Sequence, residues 1–116
     1  SRKNYDLPGA RWRLLDGDAE LVPGITALRS DGHTPGHQSL LVELPQTGPV
    51  ILAGDCCYWQ QSIDHETPPG VVWDPTRAMH SIKRLKTIAR LMGGRIFPSH
   101  DPAFWATAVK APDAYR

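Results

Sequence analysis

The chain has 116 residues, 41% hydrophobic and 22% charged, with a net charge of +1. That length bounds it at one domain. Near-neutrality argues against a nucleic-acid or polyanion partner, which would need a basic face. With no apolar run long enough to span a bilayer and no signal-like start, no membrane association and a cytoplasmic location are expected.

Eleven prolines and ten glycines alternate with apolar runs, which indicates many turns rather than disorder. Residues 1–11 read as an irregular entry with a turn at Pro8-Gly9. Trp12 to Leu15 is the first expected strand, ended by Asp16-Gly-Asp18. Ala19 to Val22 is the second, closed by Pro23-Gly24, and Ile25 to Leu28 is the third. Gln38 to Leu44 is the fourth. Gln46-Thr-Gly48 turns it into the fifth, Val50 to Ala53. This spacing is that of an antiparallel meander with short connections. No internal repeat or low-complexity segment interrupts it.

Between the third and fourth strands lies Ser30-Asp-Gly-His-Thr-Pro-Gly-His-Gln-Ser39. Gly32, Pro35 and Gly36 break helix and strand alike, so His33 and His37 sit on a tight loop. A rigid loop fixes the direction of an imidazole, as a metal requires of a ligand. A solvated turn with two surface histidines reads equally well from this stretch alone. Two later stretches repeat the situation. Val50-Ile-Leu-Ala-Gly-Asp55 is a buried strand ending on a carboxylate. Arg95-Ile-Phe-Pro-Ser-His100-Asp101 is a short strand ending on a histidine. His37, Asp55 and His100 are thus each expected to follow a strand at the start of a loop. Imidazole nitrogen with carboxylate oxygen suits zinc and similar divalent metals.

Cys56 and Cys57 are adjacent, and a disulfide between neighbours is strained. Free thiols fit a reducing compartment. Thiolate pairs that bind zinc have a longer spacer, so these two read as small buried side chains beside the site. Residues 56–73 form a long connection of the kind that is often functional. In it, Trp59 and Trp73 either wall an apolar pocket or pack onto the core, and His65 is solvated. Asp74-Pro75 starts a helix, with Asp as N-cap and Pro at the first helical position. Ala78, Ile82, Leu85, Ala89 and Met92 share one face. His80 and the basic residues lie off it, in solvent. Gly93-Gly94 ends the helix. Pro102 to Lys110 suggests a last short helix.

The series His-Thr-Pro-Gly-His37, a strand ending in Gly-Asp55, and a strand ending in Ser-His100-Asp resembles the C-terminal half of the metallo-β-lactamase superfamily. Gly36-His-Gln-Ser-Leu40, Asp55-Cys-Cys-Tyr58 and Ser81-Ile-Lys-Arg-Leu-Lys86 resemble its N-acyl-homoserine lactonase branch. The resemblance runs from about Asp16 to His100. It implies an α+β fold, half of an αββα sandwich, with a mostly antiparallel sheet packed on helices. It implies a site with a pair of zinc ions: His37 on one, Asp55 bridging both, and His100 on the other. Tyr58 would hydrogen-bond the substrate carbonyl or developing oxyanion. His33 would support the loop rather than ligate. Asp101 either orients His100 or is a plain loop carboxylate.

The superfamily's main metal motif, His-x-His-x-Asp-His, occurs nowhere in the 116 residues. Residues 1–116 are therefore expected to be one C-terminal half-domain. The missing N-terminal half would be its partner, possibly as a second chain, and an exposed apolar sheet face would invite association, including with copies of itself. The expected activity of the intact enzyme is hydrolysis of N-acyl-homoserine lactones, with Asp55 and Tyr58 as catalytic residues. The alternatives are another hydrolase of the same fold, such as a glyoxalase II-like thioesterase or an organophosphate hydrolase, or a non-catalytic half-domain.

Overall fold

The computed structural model describes residues 7–116. The first part of the irregular entry expected over 1–11 lies outside the described residues. The Pro8-Gly9 turn lies within them and is present. Five strands form one sheet in sequential order: β1 (Ala19–Val22), β2 (Ile25–Arg29), β3 (Gln38–Leu44), β4 (Gly48–Leu52) and β5 (Arg95–Phe97). The first four pair antiparallel as the meander predicts. β5 pairs parallel to β4, because the long helix between them carries the chain back along the sheet. The strand expected at Trp12 to Leu15 does not form. Trp12 is 65% exposed and Leu14 92% exposed, so their apolar side chains have no packing partner to hold an extended segment on the sheet.

Among the described residues, three α-helices pack with this sheet: α1 (Gln60–Asp64), α2 (Pro75–Met92) and α3 (Pro102–Thr107). The Asp74 side chain caps α2 by accepting from the Arg77 N–H, and Gly93 closes it in the left-handed conformation. In register across the sheet, Thr26, Leu41, Ile51 and Ile96 align in one row, and Ala27, Leu40, Leu52 and Phe97 in the next. Successive residues of a strand face opposite sides. Leu28, Leu41, Ile51 and Ala53 join Ile82, Leu85 and Ala89 of α2 in the core, with Ile96 packed against it. Full burial of a side chain such as Ile51, Ile82 or Leu85 contributes about 1.5–3 kcal/mol. On the opposite face Leu52 is 42% exposed, so part of the sheet surface away from α2 is apolar and open.

β3 runs antiparallel to β4, so its beginning lies at the same end of the sheet as the ends of β4 and β5. That single topological fact brings the residues around positions 37, 55 and 100 to one end. The loop after β2 is locked against α2 at the same end. Trp73 N–H and Asp74 N–H both donate to Gly32 O, at 2.9 and 3.0 Å. No helix among the described residues is long and apolar enough to cross a membrane.

Candidate functional site

His37 stands at the end of its loop, one residue before β3, rather than after a strand. Asp55 lies in a 3-10 turn, Gly54–Cys56, directly after β4. His100 follows β5 by a Pro-Ser step. Two backbone bonds tie the last loop to the Asp55 segment: Ser99 N–H donates to Cys57 O at 3.1 Å and His100 N–H to Tyr58 O at 2.9 Å.

The side chains meet around Asp55. The Asp55 N–H donates to His37 Nε2 at 3.0 Å. His100 Nε2 donates to Asp55 Oδ1 at 2.9 Å. His33 Nε2 lies 3.4 Å from Asp55 Oδ2, while its Nδ1 donates to Val71 O at 2.7 Å. His33 thus fastens the long connection to the loop, in keeping with a supporting role. The Tyr58 ring packs on His100, with centroids 4.4 Å apart, and lies 6.0 Å from His33. Close approach of the Gly54 backbone also matters here. A Cβ at Gly54 would sit 3.0 Å from His37 Nε2, and its φ of +55° is one that side-chain-bearing residues rarely adopt.

His37 is the most enclosed of the three. Burial lowers its pKa, helped by nearby His33 and opposed by the Ser30 carbonyl and Asp55. The shift favours the neutral ring, the state in which an imidazole offers a lone pair. Behind it stand two buried serines. Ser30 Oγ is 2.8 Å from His37 Nδ1 and 2.8 Å from Ser39 Oγ, and Ser39 Oγ donates to Ala53 O at 2.9 Å.

Asp101 does not orient His100. Its carboxylate accepts from the Ala103, Phe104 and Gln60 N–H groups, capping α3 and tying it to α1. These hydrogen bonds, the one from Gln60 first, lower its pKa. Cys56 and Cys57 are free and buried. Hydrogen bonding to Cys57 and burial together push the Cys56 thiol well up. A protonated, enclosed thiol is a poor metal donor, as expected of a packing residue. Trp59 and Trp73 are 47% and 55% exposed, so neither packs fully onto the core. His65 and His80 are exposed. Sequence reasoning missed α1, and it missed Ser30 and Ser39. The signal for the serines was present: Ser39 occupies an inward strand position two residues after His37.

In donor chemistry, His37, Asp55 and His100 fit a divalent metal: two imidazoles and a carboxylate, gathered at one end of a sheet. Among the described residues, though, no group of three or more His, Cys, Asp or Glu side chains is disposed to hold an ion. His37 Nε2 is occupied by the Asp55 N–H, and Asp55 Oδ1 by His100. The residues suit a shared ligand set and do not close one by themselves.

No family model matches the chain. It is 36% identical over 98% of its length to the N-acyl homoserine lactonase AttM of Azorhizobium caulinodans, covering 46% of that protein. It is 41% identical over 85% of its length to the N-acyl homoserine lactonase AiiA of Bacillus thuringiensis subsp. kurstaki, covering 39% of it. Among solved structures, it matches an N-acyl homoserine lactone hydrolase with the product N-hexanoyl-L-homoserine at its catalytic metal center. That match has a TM-score of 0.85 and 37% identity, over 92% of this chain and 42% of the other. A probable metal-dependent hydrolase from Staphylococcus aureus shares the fold at a TM-score of 0.66 and 21% identity. The chain spans less than half the length of the relatives it matches. In sequence and in its α+β, metallo-β-lactamase-type fold, the chain is thus a homologue of the C-terminal portion of the N-acyl homoserine lactonases.

Proposed function

We propose that this chain is the C-terminal part of a zinc-dependent hydrolase that opens the lactone ring of N-acyl-homoserine lactones. The observation that carries the proposal is the meeting of His37, His100 and Tyr58 around Asp55 at one end of the sheet. His37, Asp55 and His100 would hold the metal, as part of a pair of zinc ions completed by an N-terminal half bearing His-x-His-x-Asp-His. Zinc bound there would make hydroxide available from water near neutral pH and polarise the lactone carbonyl. The Tyr58 hydroxyl donates to the carbonyl oxygen as negative charge develops on it, a preorganised donor of the kind that stabilises acyl-transfer transition states. Asp55 accepts the proton released as the ring carbon is attacked. The ring C–O bond breaks as the alkoxide takes up the proton held by Asp55, and an N-acyl-homoserine results. The relatives are named as lactonases, which favours this reading over a thioesterase or an organophosphate hydrolase. The partly exposed sheet face bearing Leu52 is where the N-terminal half would pack.

The test is ring opening of N-hexanoyl-homoserine lactone, followed by chromatography. The protein should pair this chain with a polypeptide carrying His-x-His-x-Asp-His, supplied with zinc. Turnover that disappears with a chelator and returns with zinc is expected. A fully zinc-loaded assembly that leaves the lactone intact would overturn the proposal.

A further inference from the structure

The hydrogen bonds behind His37 bear on which of its nitrogens carries the proton. Ala53 O is a carbonyl and only accepts, so the single hydroxyl hydrogen of Ser39 is committed to it. Ser39 Oγ then meets Ser30 Oγ, 2.8 Å away, as the acceptor, and the Ser30 hydrogen is committed in turn. Ser30 Oγ, 2.8 Å from His37 Nδ1, has only its lone pairs left to offer, so Nδ1 must carry a hydrogen. Two further contacts agree. Ser30 O, also only an acceptor, lies 3.1 Å from Nδ1. The Asp55 N–H, only a donor, points at Nε2 from 3.0 Å. Ser30 and Ser39 are each 1% exposed, so water does not compete for either hydroxyl.

We infer that Ser30 and Ser39 are positioning residues: a buried hydroxyl relay from Ala53 O to His37 that directs the ring to the Nδ1–H tautomer, lone pair on Nε2. The relay rests on the proposed function only for its purpose, since a proton on Nδ1 leaves Nε2 as the ring nitrogen with a lone pair to offer a metal. The tautomer itself is a property of this chain alone. Directing a ligand's other ring nitrogen at a fixed acceptor is how proteins set imidazole orientation and basicity.

Long-range 1H–15N correlation spectra of the labelled, metal-free chain read the tautomer directly. In the wild type, His37 should show a protonated Nδ1 and an unprotonated Nε2, and the Ser30 hydroxyl proton should exchange slowly. In Ser39→Ala the Ser30 hydrogen is released from Ser39 and free to turn toward Nδ1, so an Nε2–H population should appear. Ser39→Thr should restore the wild-type pattern. Zinc affinity, measured by competition with a chromophoric chelator, should fall about 10–100-fold in Ser39→Ala and recover in Ser39→Thr. A wild-type Nε2–H tautomer would overturn the relay. So would a Ser30 hydroxyl exchanging like that of an exposed serine, or a folded Ser39→Ala with the His37 resonances unchanged. If Ser39→Ala does not fold, the wild-type tautomer and hydroxyl exchange still decide. The predicted tautomer with no zinc binding, even beside the motif-bearing partner, would sink the metal reading and leave the relay standing.

Discussion

The backbone N–H of Asp55 donates to His37 Nε2 at 3.0 Å, so the atom best placed to bind a metal is already engaged by the residue expected to share that metal. A nitrogen has one lone pair in the ring plane and cannot serve both. Zinc binding at His37 must therefore release the Asp55 amide. Titrating zinc into labelled protein should move the Asp55 amide resonance more than its neighbours on β4. Binding that leaves this resonance in place would place the metal elsewhere.

Tyr58 lies against His100, with ring centroids 4.4 Å apart, and its role in the proposed reaction is to donate one hydrogen bond. Tyr58→Phe keeps the ring packing and deletes the donor. In the assembled enzyme, kcat for lactone opening should fall about 100-fold with little change in zinc content, the scale seen for a lost oxyanion donor. Steady-state kinetics with metal analysis check both halves. Unchanged kcat would remove Tyr58 from the chemistry.

Ile82 is wholly buried, between α2 and the sheet, whereas Leu14 is 92% exposed. Both are apolar in sequence, and only packing distinguishes them. Ile82→Ala should cost about 2–5 kcal/mol of stability through lost burial and a residual cavity, measured by urea unfolding. Leu14→Ser should stay within about 0.5 kcal/mol. A large effect at Leu14 would mean that the segment before β1 packs more firmly than its exposure indicates.

The contrast between those residues also marks what the sequence makes legible. The α2 helix reads cleanly because cap, period and terminator agree: Asp74, the Ala78–Ile82–Leu85–Ala89 face and Gly93. The β2–β4 meander reads cleanly because its turns carry Pro and Gly. The segment Trp12 to Leu15 misleads because apolar content alone does not provide a strand partner. The brevity of α1, five residues without a side-chain cap, leaves no periodic trace. At the site, Asp55 and His100 follow strands as their sequence contexts indicate, whereas His37 precedes β3 and reaches the same end because β3 runs antiparallel to β4. The adjacency of Asp101 to His100 suggests a contact that does not exist, because the Asp101 carboxylate is taken up by three N–H donors from α1 and α3. Ser39 is legible as an inward strand position, but its meeting with Ser30 emerges only once β2 and β3 are in register.

Acid should weaken the chain in two stages. Asp31 and Asp18 both lose solvation on folding, but the arginines outweigh this: Arg77 and Arg29 around Asp31, and Arg84 with the Arg29 N–H at Asp18. Both carboxyls are held below their ordinary 3.8. A depressed folded pKa means that the unfolded chain takes up protons more readily. The stability these carboxylates contribute is complete above about pH 5 and is lost as pH falls through their folded values. His37, lowered mainly by burial, adds an earlier decline beginning below its ordinary 6.5. Urea unfolding at several pH values should show both stages. Asp31→Asn should flatten the more acidic stage and leave the earlier one untouched. An unaltered acid slope in Asp31→Asn would show that the Arg29–Asp31–Arg77 cluster does not contribute.

Gly32 holds the loop bearing His33 and His37 against the start of α2. A Cβ added there would lie 2.2 Å from Ala78 N and 2.4 Å from its Cα, and the φ of +134° disfavours any side chain. The obstacle is helix backbone, which cannot swing aside as a side chain would. Gly32→Ala should therefore push the loop off the helix and break the Trp73 and Asp74 bonds to Gly32 O. The expected cost is at least about 2 kcal/mol, given that overpacking and a strained backbone act together. Because His37 rides on the same loop, zinc affinity should fall with stability. Gly36→Ala is the control, since nothing lies within 4 Å of a Cβ there. It should unfold within about 0.5 kcal/mol of the wild type. Equal behaviour of the two variants in urea would show that contact with α2 does not hold the loop in place.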